Sequence, residues 1–307
     1  MIGVLEGFAI IALIVLVGFV VGRFKILGEH APYVLSRLVF YVLTPCLLFT
    51  VLAEADVHVL FSSRLLVSAL AAIACFAVFA LVAVLLFRRK LPEVVVGSLA
   101  SGYVNANNIG IPVAAYVIGD ATYSAPVVLA QLLVFAPIGL ALLGGSVSGK
   151  FSVGSVLLQT VRNPLIIGSV LGVLVAVSGV QLPDFVFEPF RLLGAAAVGV
   201  LLVNFGMSLS GSRLLAPGSG RRDVILASVL KLLFMPAVAY LLAAHVFGMT
   251  GHELFAIVVL AALPTAQNVF NYAQRYERGV VIARDTILIT TVLCVPVLVV
   301  IALLLKA

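Results

Sequence analysis

Residues 104–112 read "VNANNIGIP". Three asparagines, a glycine and a proline stand together inside an otherwise apolar segment. Each asparagine amide carries donors and acceptors that hydrocarbon leaves unsatisfied. Gly110 adds backbone freedom. Pro112 lacks an N–H and clashes with the carbonyl four residues back, that of Asn108. The stretch predicts a helix that runs to about Tyr103 and is then interrupted over 105–112.

The rest of the chain places that interruption in a membrane. Of 307 residues, 64% are hydrophobic and 10% charged, where a soluble domain carries about 25% charged residues. Twelve acids and eighteen bases cannot coat a water-soluble surface of this size. The net charge of +6 comes from bases in short clusters between apolar runs, which is a topology signal and argues against nucleic acid as a partner. Cys46, Cys75 and Cys294 each lie inside an apolar run, without CxxC spacing or a histidine cluster. They read as packing thiols rather than a disulfide or a metal site. Glu6 stands where a signal peptide has its basic region, so the first apolar stretch is expected to be a retained helix.

A bilayer core about 30 Å thick takes roughly 20 apolar residues per helix. Ten spans are expected, near 4–22, 33–52, 64–87, 93–118, 123–143, 157–178, 190–210, 223–246, 253–275 and 283–305. Their long continuous apolar runs exclude a β-barrel. One side collects Arg23, Lys25, Arg37, Arg88, Arg89, Lys90, Lys150, Arg162, Arg213, Arg221, Arg222, Arg275, Arg278 and Arg284, and the other only Arg64, Arg191 and Lys306. The positive-inside rule then makes the odd-numbered connections cytoplasmic and puts both termini outside.

The chain also repeats. A shift of 159 residues lays "NANN" at 105–108 on "PTAQ" at 264–267 and Pro137 on Pro296, and the spans coincide. Five spans per half, an odd number, turn the second unit (148–307) upside down relative to the first (1–147). Inverted repeats with interrupted helices at matching positions are a transporter plan. The ninth span, "HELFAIVVLAALPTAQNVFNYAQRY", breaks at Pro264 and continues through Gln267, Asn268 and Asn271. Irregular backbone at membrane depth survives only when buried in protein or lining a wet cavity. Freed N–H groups at a half-helix start can hold an anion, and freed carbonyls a cation. A proline kink with asparagines as interhelical glue is the competing reading. Two amide-rich breaks at matching positions favour one polar pocket, with Asn105, Asn107, Asn108, Gln267, Asn268 and Asn271 as substrate contacts. Gly110, Pro112 and Pro264 would hold the breaks.

"NANNIGIPV" at 105–113 resembles the GN-x-x-N-x-G-x-P segment of bacterial auxin efflux carrier family proteins, matched at Asn105, Asn108, Gly110 and Pro112. "ALPTAQNVFNYAQRY" at 262–276 resembles that family's second signature, matched at Pro264, Thr265, Asn268 and Phe270. "LSRLVFYVLTPCLLF" at 35–49 resembles its second helix. The sequence departs from the pattern at Ala106 and Asn107, where the family often has a glycine. The resemblance implies an all-α fold of ten transmembrane helices in two inverted five-helix repeats, with helices four and nine broken and crossing at the substrate site. The fold is similar to that of bile-acid/sodium symporters. By that analogy helices 1, 2, 6 and 7 form a scaffold, through which a homodimer would form, and 3–5 and 8–10 a moving transport domain. Family members export auxin in plants, and bacterial ones are assigned to malonate, malate or similar organic anions.

Other polar residues stand in apolar surroundings. Lys231, about eight residues into the eighth span, is a candidate to attract a carboxylate or carry a coupling charge; the alternative is snorkelling to the interface. Gln131 is placed near the crossover, with Tyr272 and Asn204 as lesser candidates. Glu93 and Glu253 read as helix-end acids, and Arg284 and Asp285 as a local ion pair. No Ser-His-Asp order, HExxH or acidic metal cluster is present, which disfavours an enzyme. The expected function is alternating-access transport of a small organic anion across a bacterial inner membrane, without a resident cofactor. Sodium or proton symport and a non-transporting ligand sensor remain as alternatives.

Overall fold

The structure is a computed structural model that describes residues 2–54, 63–148, 154, 161–210 and 220–305. Lys150, Arg213, Lys306 and the start of the expected sixth span lie outside the described residues. The chain is helical: α1 Ile2–Arg23, α2 Ala31–Ala53, α3 Ser63–Leu85, α4 Leu91–Gly102, α5 Ala106–Ile118 and α6 over 121–148. The series continues with α7 Pro164–Ser178, α8 Asp184–Leu209, α9 Arg221–Val246, α10 Gly251–Ala261, α11 Gln267–Tyr276 and α12 Val280–Leu305. Five helices are long and apolar enough to cross a bilayer: α2, α3, α9, α12 and 184–204 of α8.

The exterior is as greasy as the interior. Leu13, Leu85, Phe185 and Leu304 are 63%, 64%, 82% and 73% exposed. Monomeric soluble proteins do not present such a continuous apolar surface, whereas acyl chains solvate it. With nearly all of its described backbone in helices and an apolar exterior, this is a multi-pass membrane protein.

The helices pack as two sets. α1, α2, α7 and α8 are joined where backbones touch. A Cβ added at Gly18 would lie 2.2 Å from the Val203 carbonyl oxygen, and one at Gly206 would lie 2.0 Å from that of Val15. The same close approach joins Gly168 to Pro45 at 2.5 Å and Gly172 to Phe49 at 2.6 Å. Lipid offers no hydrophobic drive between helices, so such close packing is a main source of adhesion.

The second set is α3 to α6 with α9 to α12. α4 lies against α3, α6, α9 and α12, and α10 against α9 and α12. Two ion pairs clamp it. Arg64 Nε lies 2.7 Å from Glu253 Oε1, with the guanidinium 4.4 Å from the Tyr123 ring centroid. Arg89 reaches both oxygens of the fully buried Asp223. Glu253 is thus a cross-chain partner rather than only a helix-end acid. Arg284 and Asp285 form the expected local pair at 2.7 Å.

Gly206→Leu should lower the melting temperature of the detergent-solubilised protein, because overpacking a backbone contact costs about 1–3 kcal/mol or more. Gly199→Ala should leave it unchanged, since nothing lies within 4 Å of an added Cβ there. Thermal denaturation followed by size-exclusion chromatography reads both.

Candidate functional site

Two chain breaks meet at one point. Between α4 and α5 the backbone is extended, and Val104 pairs antiparallel with Thr265 between α10 and α11. Asn105 N donates to Pro264 O at 2.8 Å, and Ala266 N donates to Tyr103 O at 2.9 Å. Four helix ends therefore converge: α4 and α10 end on the bridge, and α5 and α11 begin two residues beyond it.

The two kinds of helix end are treated differently. The carbonyl ends meet protein donors. Thr265 Oγ1 donates to Ala100 O at 2.6 Å, Gln131 Nε2 to Val104 O at 2.8 Å and Lys231 Nζ to Ala261 O at 2.7 Å. Thr265 N in turn donates to Thr290 Oγ1 at 3.1 Å. The amino ends of α5 and α11 open on a cavity of about 450 Å³. Asn107 and Asn108 from the first turn of α5, and Gln267, Asn268 and Asn271 from α11, line it.

The far wall belongs to the other helix set. α2 supplies Tyr33, Ser36, Arg37 and Tyr41, and α8 supplies Asn204. Asn204 Nδ2 donates to Ser36 Oγ at 3.0 Å. Arg37 Nη1 donates to Tyr33 Oη at 2.9 Å, and the guanidinium carbon lies 5.7 Å and 5.2 Å from the Tyr33 and Tyr41 ring centroids. Arg37 is the one charged side chain among the described lining residues. Asn107 Oδ1 on the α5 wall and Asn204 Oδ1 on the α8 wall are buried without a protein partner, so both walls have acceptor capacity left for a solute or water.

Comparison with known proteins identifies the molecule's kin. The family described as "Membrane transport protein" matches residues 4–143 and 148–302, nearly the entire chain. The chain belongs to this family. The auxin efflux carrier resemblance carried by 105–113 and 262–276 is therefore one of true kinship. The transporter is 27% identical over 276 residues to the "Uncharacterized transporter YfdV" of Escherichia coli, an alignment covering 87% of this chain and 86% of the relative. It is 26% identical over 292 residues to the "Uncharacterized transporter MJ1031" of Methanocaldococcus jannaschii, covering 92% of each. These are transporters, not enzymes.

Within the transporter, the predicted residues separate into two groups. Asn107, Asn108, Gln267, Asn268 and Asn271 share the cavity. Asn105, Gln131 and Lys231 stand behind it. Asn105 is 3% exposed and caps α5, its Oδ1 accepting from Asn108 N at 3.1 Å. Gln131 and Lys231 hold carbonyls, and Lys231 is fully buried rather than snorkelling. Lys231 lies on α9 facing the end of α10, where its Nζ donates to a carbonyl that the helix's end leaves without an amide partner.

The first break is shorter than expected. Residues 106–118 are helical, so the interruption occupies 103–105 rather than 105–112. A widened π-turn over Ala106–Gly110 spreads the carbonyls and makes room for Pro112 within the helix. Gly110 has φ −64°, an ordinary helical value. Its lack of a side chain serves close approach: an added Cβ would meet Leu263 Cδ1 at 3.1 Å and Asn105 O at 3.3 Å. Pro264 sits in the second break as expected, its carbonyl accepting from Asn105.

Sequence reasoning read Arg37 only as a topology charge. Its signal was legible: Tyr33, Arg37 and Tyr41 in "YVLSRLVFY" recur every four residues on one helix face. Two larger grooves, of about 800 and 790 Å³, lie elsewhere. Exposed leucines, valines and prolines line them, which suits acyl chains and gives a charged solute nothing to bind.

Thr265→Val should cost about 1–2 kcal/mol of stability by leaving Ala100 O unpaired in a water-poor interior. Asn271→Ala, at the cavity wall, should change stability by about 0.5 kcal/mol or less. Comparing the two melting shifts checks the division between bridge and cavity residues.

Proposed function

We propose that this membrane transport protein is a secondary transporter of a small organic anion, auxin-like or a dicarboxylate such as malonate or malate. One observation carries the reading: the carbonyl ends of both broken helices meet protein donors, whereas their amino ends open on a cavity with amides, one arginine and no carboxylate among its described lining. The amino end of a helix carries about half a positive charge. Two such ends beside flexible amide donors make a site for negative charge, as in other transporters with discontinuous helices. The volume falls in the range of about 300–1,000 Å³ usual for small-molecule sites.

The transport mode follows the division into helix sets. In the repeat numbering, α4–α5 and α10–α11 are spans four and nine of a ten-helix inverted repeat. Spans 1, 2, 6 and 7 correspond to the glycine-packed set, and spans 3–5 and 8–10 to the set clamped by ion pairs. An elevator movement of the second set against the first would carry the crossover amides and their solute across the membrane. The cavity reaches Pro32 and Tyr33 at the start of α2, just beyond the connection that holds Lys25, and the positive-inside rule makes that connection cytoplasmic in an inner membrane.

The coupling we infer is none through the bridge carbonyls, because Lys231, Gln131 and Thr265 already occupy them. In proteoliposomes, malonate or indole-3-acetate flux should be unchanged when sodium is replaced by choline. Asn108→Ala and Asn268→Ala should each raise the half-saturating concentration about tenfold or more, the effect of losing one hydrogen bond to a charged group. Wild-type binding in both variants would overturn the site. Sodium-dependent flux would mark a symporter, and binding without flux a sensor.

A further inference from the structure

We propose that Arg37 is a docking residue for the solute's negative charge that serves one face of the membrane only. The proposal rests on the anion-transport reading and adds a built-in asymmetry to it.

The cavity has walls of two origins. Its amides belong to α5 and α11, which the Val104–Thr265 bridge holds together. Arg37 belongs to α2, which is fixed by backbone contact to α7 and α8 at Gly168, Gly172 and Gly194. None of the ion pairs among the described residues joins the two helix sets. A solute bound to the amides travels with them, and Arg37 stays behind.

Arg37 is prepared for an anion. A guanidinium has five N–H donors in a planar fork that matches a carboxylate. Tyr33 Oη takes one of them, and the Tyr33 and Tyr41 rings support the group from below and above on the same helix face. No carboxylate among the described residues forms an ion pair with it. The hydrogen bond and the two ring contacts hold the side chain at the cavity wall, so less rotamer freedom is lost when an anion arrives.

The second repeat has no counterpart. The 159-residue shift that aligns the two breaks lays Arg37 on Ala196, in α8. The basic residue nearest that end of α8, Arg191, is already paired with Glu188 at 2.8 Å. When the amides face the other side, the wall that meets them carries a methyl group where this one carries a guanidinium. The charge-assisted contact is made in one conformation and absent in the other, so solute binding itself favours the conformation that contains Arg37.

Equilibrium binding of malonate and of indole-3-acetate to purified protein, read by thermal shift and calorimetry, tests this. Two forms are needed, each cross-linked between the helix sets through paired cysteines, with the cavity on the Arg37 face or on the opposite face. Arg37→Gln should weaken binding about tenfold or more in the first form and less than twofold in the second. Arg37→Lys, which keeps the charge and loses the fork, should fall between. Tyr33→Phe, which removes the parking hydroxyl and keeps the ring, should remain folded and bind within about threefold of wild type. Equal loss in both cross-linked forms, or no loss in the first, would overturn the proposal. If the unmodified protein binds neither anion, the anion reading itself fails and takes this proposal with it.

Discussion

Backbone groups in a water-poor interior must find partners, and at the centre of this protein they find them in an antiparallel bridge one residue pair long. Val104 and Thr265 face each other, and Asn105 N and Ala266 N reach across to Pro264 O and Tyr103 O. Helices satisfy their own backbone everywhere except at their ends. Interrupting two helices at the same depth creates four sets of orphaned groups unless the interruptions solve each other's problem. The bridge does this for the extended residues. Thr265 in the break itself, and Gln131, Lys231 and Thr290 from three surrounding helices, finish the task.

That arrangement explains a residue that would otherwise be hard to place. A fully buried lysine in an apolar helix is costly. Lys231 sits where α10 stops, and its Nζ donates to Ala261 O, with Met235 Sδ at 3.1 Å as a second acceptor. Its role follows from the break in its neighbour. In an unbroken helix that carbonyl would be satisfied by the amide four residues on, which here is Thr265 N, bonded to Thr290 instead. The same logic assigns Gln131 to Val104 and leaves the amino ends of α5 and α11 as the side that faces the polar cavity.

The two helix sets differ in what holds them. One relies on glycines that let carbonyls and Cα atoms touch, which makes a thin and rigid contact. The other relies on the bridge, on buried hydroxyls and on two ion pairs at opposite ends, Arg64–Glu253 and Arg89–Asp223. The polar cavity is a place where the sets face each other through polar groups instead of packed apolar ones. A boundary between two internally tight bodies is where relative motion costs least.

Composition and span length determined by themselves that this chain is a helical membrane protein, because 64% hydrophobic residues leave no other solvent for the exterior. The doubled motif also marked where the helices break, since proline and asparagine in apolar runs carry a local penalty that any fold must answer. Five of the eight residues put forward as solute contacts share a cavity because they lie within about a turn of the starts of α5 and α11, which meet at the bridge. What the sequence left open was which polar groups answer each other. Asn105, Gln131 and Lys231 are equally polar in the sequence, yet partners far away in the chain turn them to carbonyls instead of the cavity. Arg37, read as a topology charge, lines the cavity only because α2 is laid against the two breaks. Local penalties are written in the order of residues, but the pairing that relieves them is decided by tertiary contact.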